Sequence, residues 1–326
     1  MRLLKLVPDD TNIKFLRWRV PFFTVSILLM IASWALVAMN GLNYGVDFAG
    51  GQEIRVTLVG ETEAPVAELR ETVGALPEVG DPVIQRFGAP NQVSIRVGLP
   101  PEAEGDDAFA ERMTESIVTA LRADHPNIRI DGVDSVSGKV SGEFRNQAIY
   151  ALLAAMLAVA IYIWVRFEWQ FGVGALFALV HDVSLTLGMF ALFQLEFSLQ
   201  IIAAILAIIG YSLNDTIVVY DRVRENLKKY RKMPLPELLD LSVNETLART
   251  VMTSLTLLIA LLPLVLFGPD SLFGMTLAIF VGIFVGTYSS VYQAGPILLW
   301  TGVRSDSFIP KESAADRQER VARGEG

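Results

Sequence analysis

The chain has 326 residues, of which 52% are hydrophobic and 19% charged, with a mean hydropathy of +0.44 and a formal charge of −8. That balance belongs to a membrane protein and excludes an ordinary soluble domain. The absence of cysteine excludes disulfides and thiolate metal sites.

In chain order, the first apolar segment is Val20 to Met39, preceded by Arg17 and Arg19. It has no small-x-small cleavage pattern before Asn40, so an uncleaved anchor is expected rather than a secretion signal. Further charge-free runs follow at Asn146 to Val165, Phe197 to Asn214, Thr250 to Pro269 and Ser271 to Val303, each near the ~20 residues a bilayer requires. One more, Trp169 to Leu195, is interrupted only by His181 and Asp182. Six spanning helices are predicted. Lys and Arg gather before helix one (Arg2, Lys5, Lys14, Arg17, Arg19), after helix four (Arg222 to Lys232) and after helix six (Arg304, Lys311). The links at Gln194 to Glu196 and Gly268 to Ser271 carry neither. Both termini are therefore expected on the cytoplasmic side.

The predicted organisation is a cytoplasmic N-terminus (1–19), helix one (20–39), an outer domain (40–145), helices two to six (146–303) and a cytoplasmic tail (304–326), charged, apolar-poor and assigned no fold. Within the outer domain, Glu53 to Leu58 alternates as a strand, and Val66, Leu69, Val73 and Leu76 have helical spacing. Val83 to Phe87 and Val93 to Val97 flank a Gly88-Ala89-Pro90-Asn91 turn. Phe109, Met113, Ile117 and Leu121 line a second helix, and Ile128 to Ile130 adds a last strand. The order βαββαβ is that of an α+β ferredoxin-like, or split βαβ, domain. This segment holds most of the acidity, 18 acidic against 9 basic residues.

Asp215 is the most informative residue, because a charged side chain near the middle of a spanning helix costs roughly 2.5 to 3.5 kcal/mol and marks an interior path or a partner. Helix four places it roughly 25 Å from the outer surface, at ~1.5 Å per residue, and helix five enters on the inner side near Arg249. The expectation is a proton relay in which Arg249 steadies the ionised carboxylate; a static ion pair is the plainer alternative. Asn214 beside it is either part of that relay or an interhelical hydrogen bond. Asp182 is central in helix three and stands between a second proton site and a partner for polar groups of another subunit. His181 is expected to point about 100° away from it, as a packing residue. Asp47, among Gly45, Gly50 and Gly51, is either a hinge between helix one and the outer domain or an Asp-capped turn. Thr246, Thr250 and Thr253 form a polar stripe on helix five, and Gly282 and Gly286 on helix six have close-packing spacing.

Gly45 to Gly51, His181-Asp182, Gly210 to Asn226 and Asn244 to Ser254, in this order and spacing, resemble the SecF family of protein-export membrane proteins, in the resistance-nodulation-division superfamily. The resemblance runs from Gly41 to Trp300. It implies a non-enzymatic accessory subunit of the bacterial inner membrane that works with SecD beside the SecYEG channel, in company with YajC and YidC. It would use the proton motive force to promote export of preproteins. An acidic residue in helix four and a basic one opening helix five are among the family's shared charged positions. Gln293 and Gly295 depart from the family's usual residues and are expected to alter the packing of helix six against SecD. A passive assembly subunit is the main alternative. A self-sufficient exporter needs more helices, and an intramembrane aspartyl protease lacks a second Gly-x-Gly-Asp helix. No cofactor, metal or nucleic-acid partner is expected, and no phosphate-binding loop occurs; the lipid bilayer is the surrounding medium.

Overall fold

The computed structural model describes residues 8, 11–80, 82–86, 88–100, 103 and 106–303. Arg2, Lys5, Phe87, Arg304, Lys311 and the tail assigned to 305–326 lie outside the described residues. Among the described residues, six helices are long and apolar enough to cross a membrane: α1 (Arg19–Asn40, extended by a 3-10 turn at Phe15–Trp18), α5 (Gly138–Arg166), α6 (Trp169–Phe193), α7 (Leu199–Lys229), α8 (Leu235–Phe267) and α9 (Asp270–Tyr292). The last breaks at Gln293 and continues as α10 (Ala294–Trp300), where the sequence predicts one unbroken helix.

Between α1 and α5 the chain forms the short helix α2 (Val46–Ala49) and a four-stranded antiparallel sheet, built from β2 (Gly51–Leu58), β3 (Val83–Arg86), β4 (Gln92–Val97) and β5 (Ile128–Val136) in the order β3-β4-β2-β5. Helices α3 (Val66–Gly74) and α4 (Asp107–Asp124) complete the βαββαβ series. Period-two alternation sends Ile54, Val56, Leu58, Val93, Ile95 and Val97 into one core with Leu69 and Val73 of α3 and Met113, Ile117 and Leu121 of α4. α4 opens on Asp106, whose carboxylate accepts from the Phe109 amide, a helix cap. β5 runs beyond the predicted Ile130 because it pairs with the whole of β2, a bulge between Arg55 and Val56 absorbing the irregularity.

In the helical domain α6 and α7 are the most enclosed spans, with 56% and 50% of their most apolar windows buried, against 11% for α1 and α8. α7 packs on α9, α8 and α6, and α1 lies against α6. Glycines set two of these distances. A Cβ on Gly188 would fall 2.2 Å from Ser33 Oγ, and one on Gly282 would fall 2.4 Å from Ile208 Cδ1. Such close backbone approach is what small residues provide where lipid supplies no hydrophobic drive between helices. At the end of the helical domain away from β1 and β6, the 3-10 turn lacks a cap of its own. Asp240 of α8 accepts from the Leu16 amide at 2.8 Å, and Asn244 bonds both the amide and the carbonyl of Ile13.

The two domains meet at a two-stranded parallel pair, β1 (Asn43–Tyr44) beside β6 (Glu196–Phe197), which joins the exit of α1 to the α6–α7 link.

Candidate functional site

Asp215 is 1% exposed on α7. From α8, Arg249 acts on its carboxylate as an attractive charge. Arg249 is itself exposed, and Oδ2 of Asp215 is buried without a donor. The expected helix four to helix five contact is thus a through-space attraction, and one carboxylate oxygen of Asp215 is left without a donor. Asn214, one residue earlier, turns outward and is exposed, so it faces the surroundings of this chain. No interhelical hydrogen bond within the chain accounts for it.

Asp182 is held differently. Its Oδ1 lies 2.9 Å from His181 Nδ1, and its Oδ2 accepts from Ser212 of α7 at 2.5 Å and from Ser289 of α9 at 2.9 Å. The expectation that His181 points away from Asp182 is therefore corrected: the Cα–Cβ vectors diverge around the helix, but both side chains are long enough to curl back and meet. The carboxylate is 1% exposed and directed into this chain's own interior, so it does not present itself to a neighbouring subunit. Three helices are tied through one carboxylate.

A second polar group adjoins this one. The His181 ring sits 5.9 Å from that of Tyr288, whose hydroxyl meets Ser26 of α1 at 2.9 Å and donates to the Phe22 carbonyl at 3.0 Å. Gln293, fully buried at the break between α9 and α10, donates to Ser26 Oγ at 2.6 Å and to Tyr288. Gln293 thus binds α1 within the chain, and a Cβ on Gly295 would meet Leu16 at 3.8 Å. The expectation that these two positions shape packing against SecD is replaced by an intramolecular role. Tyr211, Ser254 and Thr287 make a further hydroxyl cluster across α7, α8 and α9, with separations of 2.7 and 2.6 Å. Of the threonine stripe, Thr246 and Thr253 donate back to their own helix. That is the common fate of hydroxyls in helices.

At the outer face, Asp47 neither simply caps its own turn nor stands free. Its Oδ2 accepts from the Leu199 amide at 2.9 Å, capping α7, whose own N-cap Ser198 makes no side-chain bond. Gly50 and Gly51 both have positive φ, and a Cβ on Gly51 would lie 2.3 Å from the Val97 carbonyl oxygen, so glycine is required there. Gly45 lies against the end of the Glu196 side chain: a Cβ there would fall 2.6 Å from Glu196 Oε1 and displace that carboxylate. Sequence reasoning missed Glu196, Asp240 and Asn244 because their partners are distant in the chain. Among the described residues no three His, Asp or Glu side chains gather as a metal-ligand set.

The model of the family "Protein export membrane protein SecD/SecF, C-terminal" matches residues 116–304, and that of the SecD/SecF GG motif matches residues 35–59. The protein translocase subunit SecF of Rhodobacter capsulatus is 47% identical over 323 residues, covering 96% of both chains. That of Cereibacter sphaeroides is 46% identical, with 95% of each covered. Among solved structures, SecDF of Thermus, a translocon-associated membrane protein, matches with a TM-score of 0.81 at 35% identity over 90% of this chain. A second SecDF structure, in a super-membrane-facing form, gives a TM-score of 0.66 at 33% identity. The chain spans 39% and 42% of those two longer SecDF chains. The fold and its buried polar sites define a multi-pass protein-export component, and the chain belongs to the SecD/SecF family, among its SecF translocase subunits.

Proposed function

We propose that this chain is an accessory subunit of the Sec translocase in the bacterial inner membrane, partnered with SecD, that couples the proton motive force to the outward movement of preproteins. Asp215 is the coupling acid in this reading. The observation that carries it is a buried carboxylate inside a spanning helix, with one oxygen lacking a donor and the Arg249 cation on the neighbouring helix. One elementary charge crossing 100 mV supplies ~2.3 kcal/mol. Each ~1.4 kcal/mol is tenfold in an equilibrium, so one proton suffices to bias a domain position strongly.

Arg249 answers the charge state of Asp215, and Asn214, exposed beside it, faces the partner side of the same path. Asp182, read from the sequence as a candidate second proton site, is the structural acid in this reading, linked by Ser212 to the helix that carries Asp215. Proton entry alters the α7–α8 contact, and the movement reaches the outer domain through Asp47 and the glycines Gly45, Gly50 and Gly51. SecYEG, YajC and YidC are the proposed neighbours and the preprotein the substrate. Both termini are cytoplasmic, and the chain itself performs no catalysis.

Replacing Asp215 with Asn in the complex with SecD tests this reading. Gradient-dependent export is expected to fall to the level seen without a gradient, while co-purification of SecD is retained. Unchanged export would leave a passive assembly subunit as the better account.

A further inference from the structure

Glu196 occupies the joint between the two domains. It sits in β6, paired with Asn43 of β1, and its side chain lies over the Gly45 backbone, closer than any Cβ there would permit. Four charged groups face it from the elements packed around it: Glu53 and Arg55 of β2, Arg96 of β4 and Asp47 of α2. Neither arginine is committed to it. Arg96 donates to the Tyr44 carbonyl, Asn43 and Gln85, and Arg55 pairs with Glu53 and Asp134. Asp47 is committed to the Leu199 amide, and Glu53 accepts from Ser94 at 2.5 Å. Docking thus brings a third carboxylate up to two that are already placed. The joint borders a cleft of about 1040 Å³, lined also by Asp134, Arg86, Phe193 and Leu266, which opens the cluster to outside water.

We propose that Glu196 is a latch sensitive to outside acidity, which holds the outer domain against the ends of α6 and α7 when protonated and loosens it when ionised. Burial, followed by the Glu53 charge, raises the Glu196 carboxyl above its ordinary range, and Arg96 and Arg55 only partly oppose this. In the undocked arrangement Glu196 meets water and returns to the ordinary value. The docked form therefore binds the proton more tightly, and docking is strongest in acid and lost as pH rises through the raised value. A proton held tenfold more tightly when docked changes the docking equilibrium by up to about tenfold across the titration. A membrane energised with its outer face acidic favours the docked arrangement.

This inference deepens the hinge role given to Gly45 and Asp47 and rests on that reading, but it does not require Asp215 to be the coupling acid. The chain has no cysteine, so Glu78→Cys and Phe267→Cys place one spin label on the outer domain and one on the outer end of α8. Electron–electron distances are measured in the complex with SecD, in vesicles without a gradient, from about pH 5 to about pH 8. A single short distance in acid and a growing longer population toward alkaline pH are expected. Glu196→Gln should keep the short distance throughout, and Glu53→Gln should shrink the longer population at the alkaline end. A distance unaffected by pH, or the same pH response in Glu196→Gln, overturns the latch. Asp215→Asn should retain the pH response while losing gradient-driven export, which separates failure of the latch from failure of the coupling acid.

Discussion

Asp182 and Asp215 lie in neighbouring helices, each 1% exposed, and they are held in opposite ways. Asp182 receives His181, Ser212 and Ser289 from three helices, whereas Asp215 has one oxygen without a donor and a cation that attracts it from a distance. A carboxylate satisfied on both oxygens resists change, because any change of state breaks bonds that hold helices together. One satisfied on a single side changes state at lower cost. Burial alone does not tell a structural acid from a working one; the partners do.

Stability measurements sharpen this contrast. Asp182→Asn is expected to destabilise the helical domain by about 1 kcal/mol, two interhelical bonds at ~0.6 kcal/mol each, and Asp215→Asn much less. Thermal unfolding in detergent, followed by circular dichroism, gives the order; a larger loss at Asp215 would reverse the assignment. A smaller effect comes from Ser289→Ala, which removes one donor to Asp182 and should cost about 0.6 kcal/mol. The same unfolding assay should find this loss absent when Ser289→Ala is added to Asp182→Ala, which leaves Ser289 no acceptor at that position. Full additivity of the two would mean that Ser289 acts elsewhere.

The sequence reveals the six spans because charge-free runs of bilayer length have few other uses, and it reveals the outer domain because the two periods, 2 and 3.6, alternate cleanly there. It underestimates α8, which begins at Leu235, well before the charge-free run opens at Thr250. The early turns carry Asp240, Glu245 and Arg249 and read as loop, yet Asp240 and Asn244 bind the Ile13 to Leu16 segment, and Glu245 accepts from Arg222 and Asn226 of α7. The break at Gln293 is legible only in part: Pro296 has no N–H to offer the Tyr292 carbonyl and Gly295 precedes it, but nothing local shows that the buried Gln293 amide reaches Ser26 of α1. Asp215 is legible as a lone acid in an apolar run. Its difference from Asp182 is not, because Ser212 and Ser289 look like packing residues until the fold turns them onto one carboxylate. Nor does any local pattern connect Asp47 with Leu199, or Glu196 with Gly45: these are contacts between the ends of spans far apart in the chain.

The most direct test is isotope-edited infrared spectroscopy of the Asp215 carboxyl in vesicles containing this chain and SecD, recorded as a proton gradient is imposed and collapsed. A protonated-carboxyl band that appears and disappears with the gradient, and is missing in Asp215→Asn, is the predicted result. A carboxyl fixed in one state under every gradient would contradict the account.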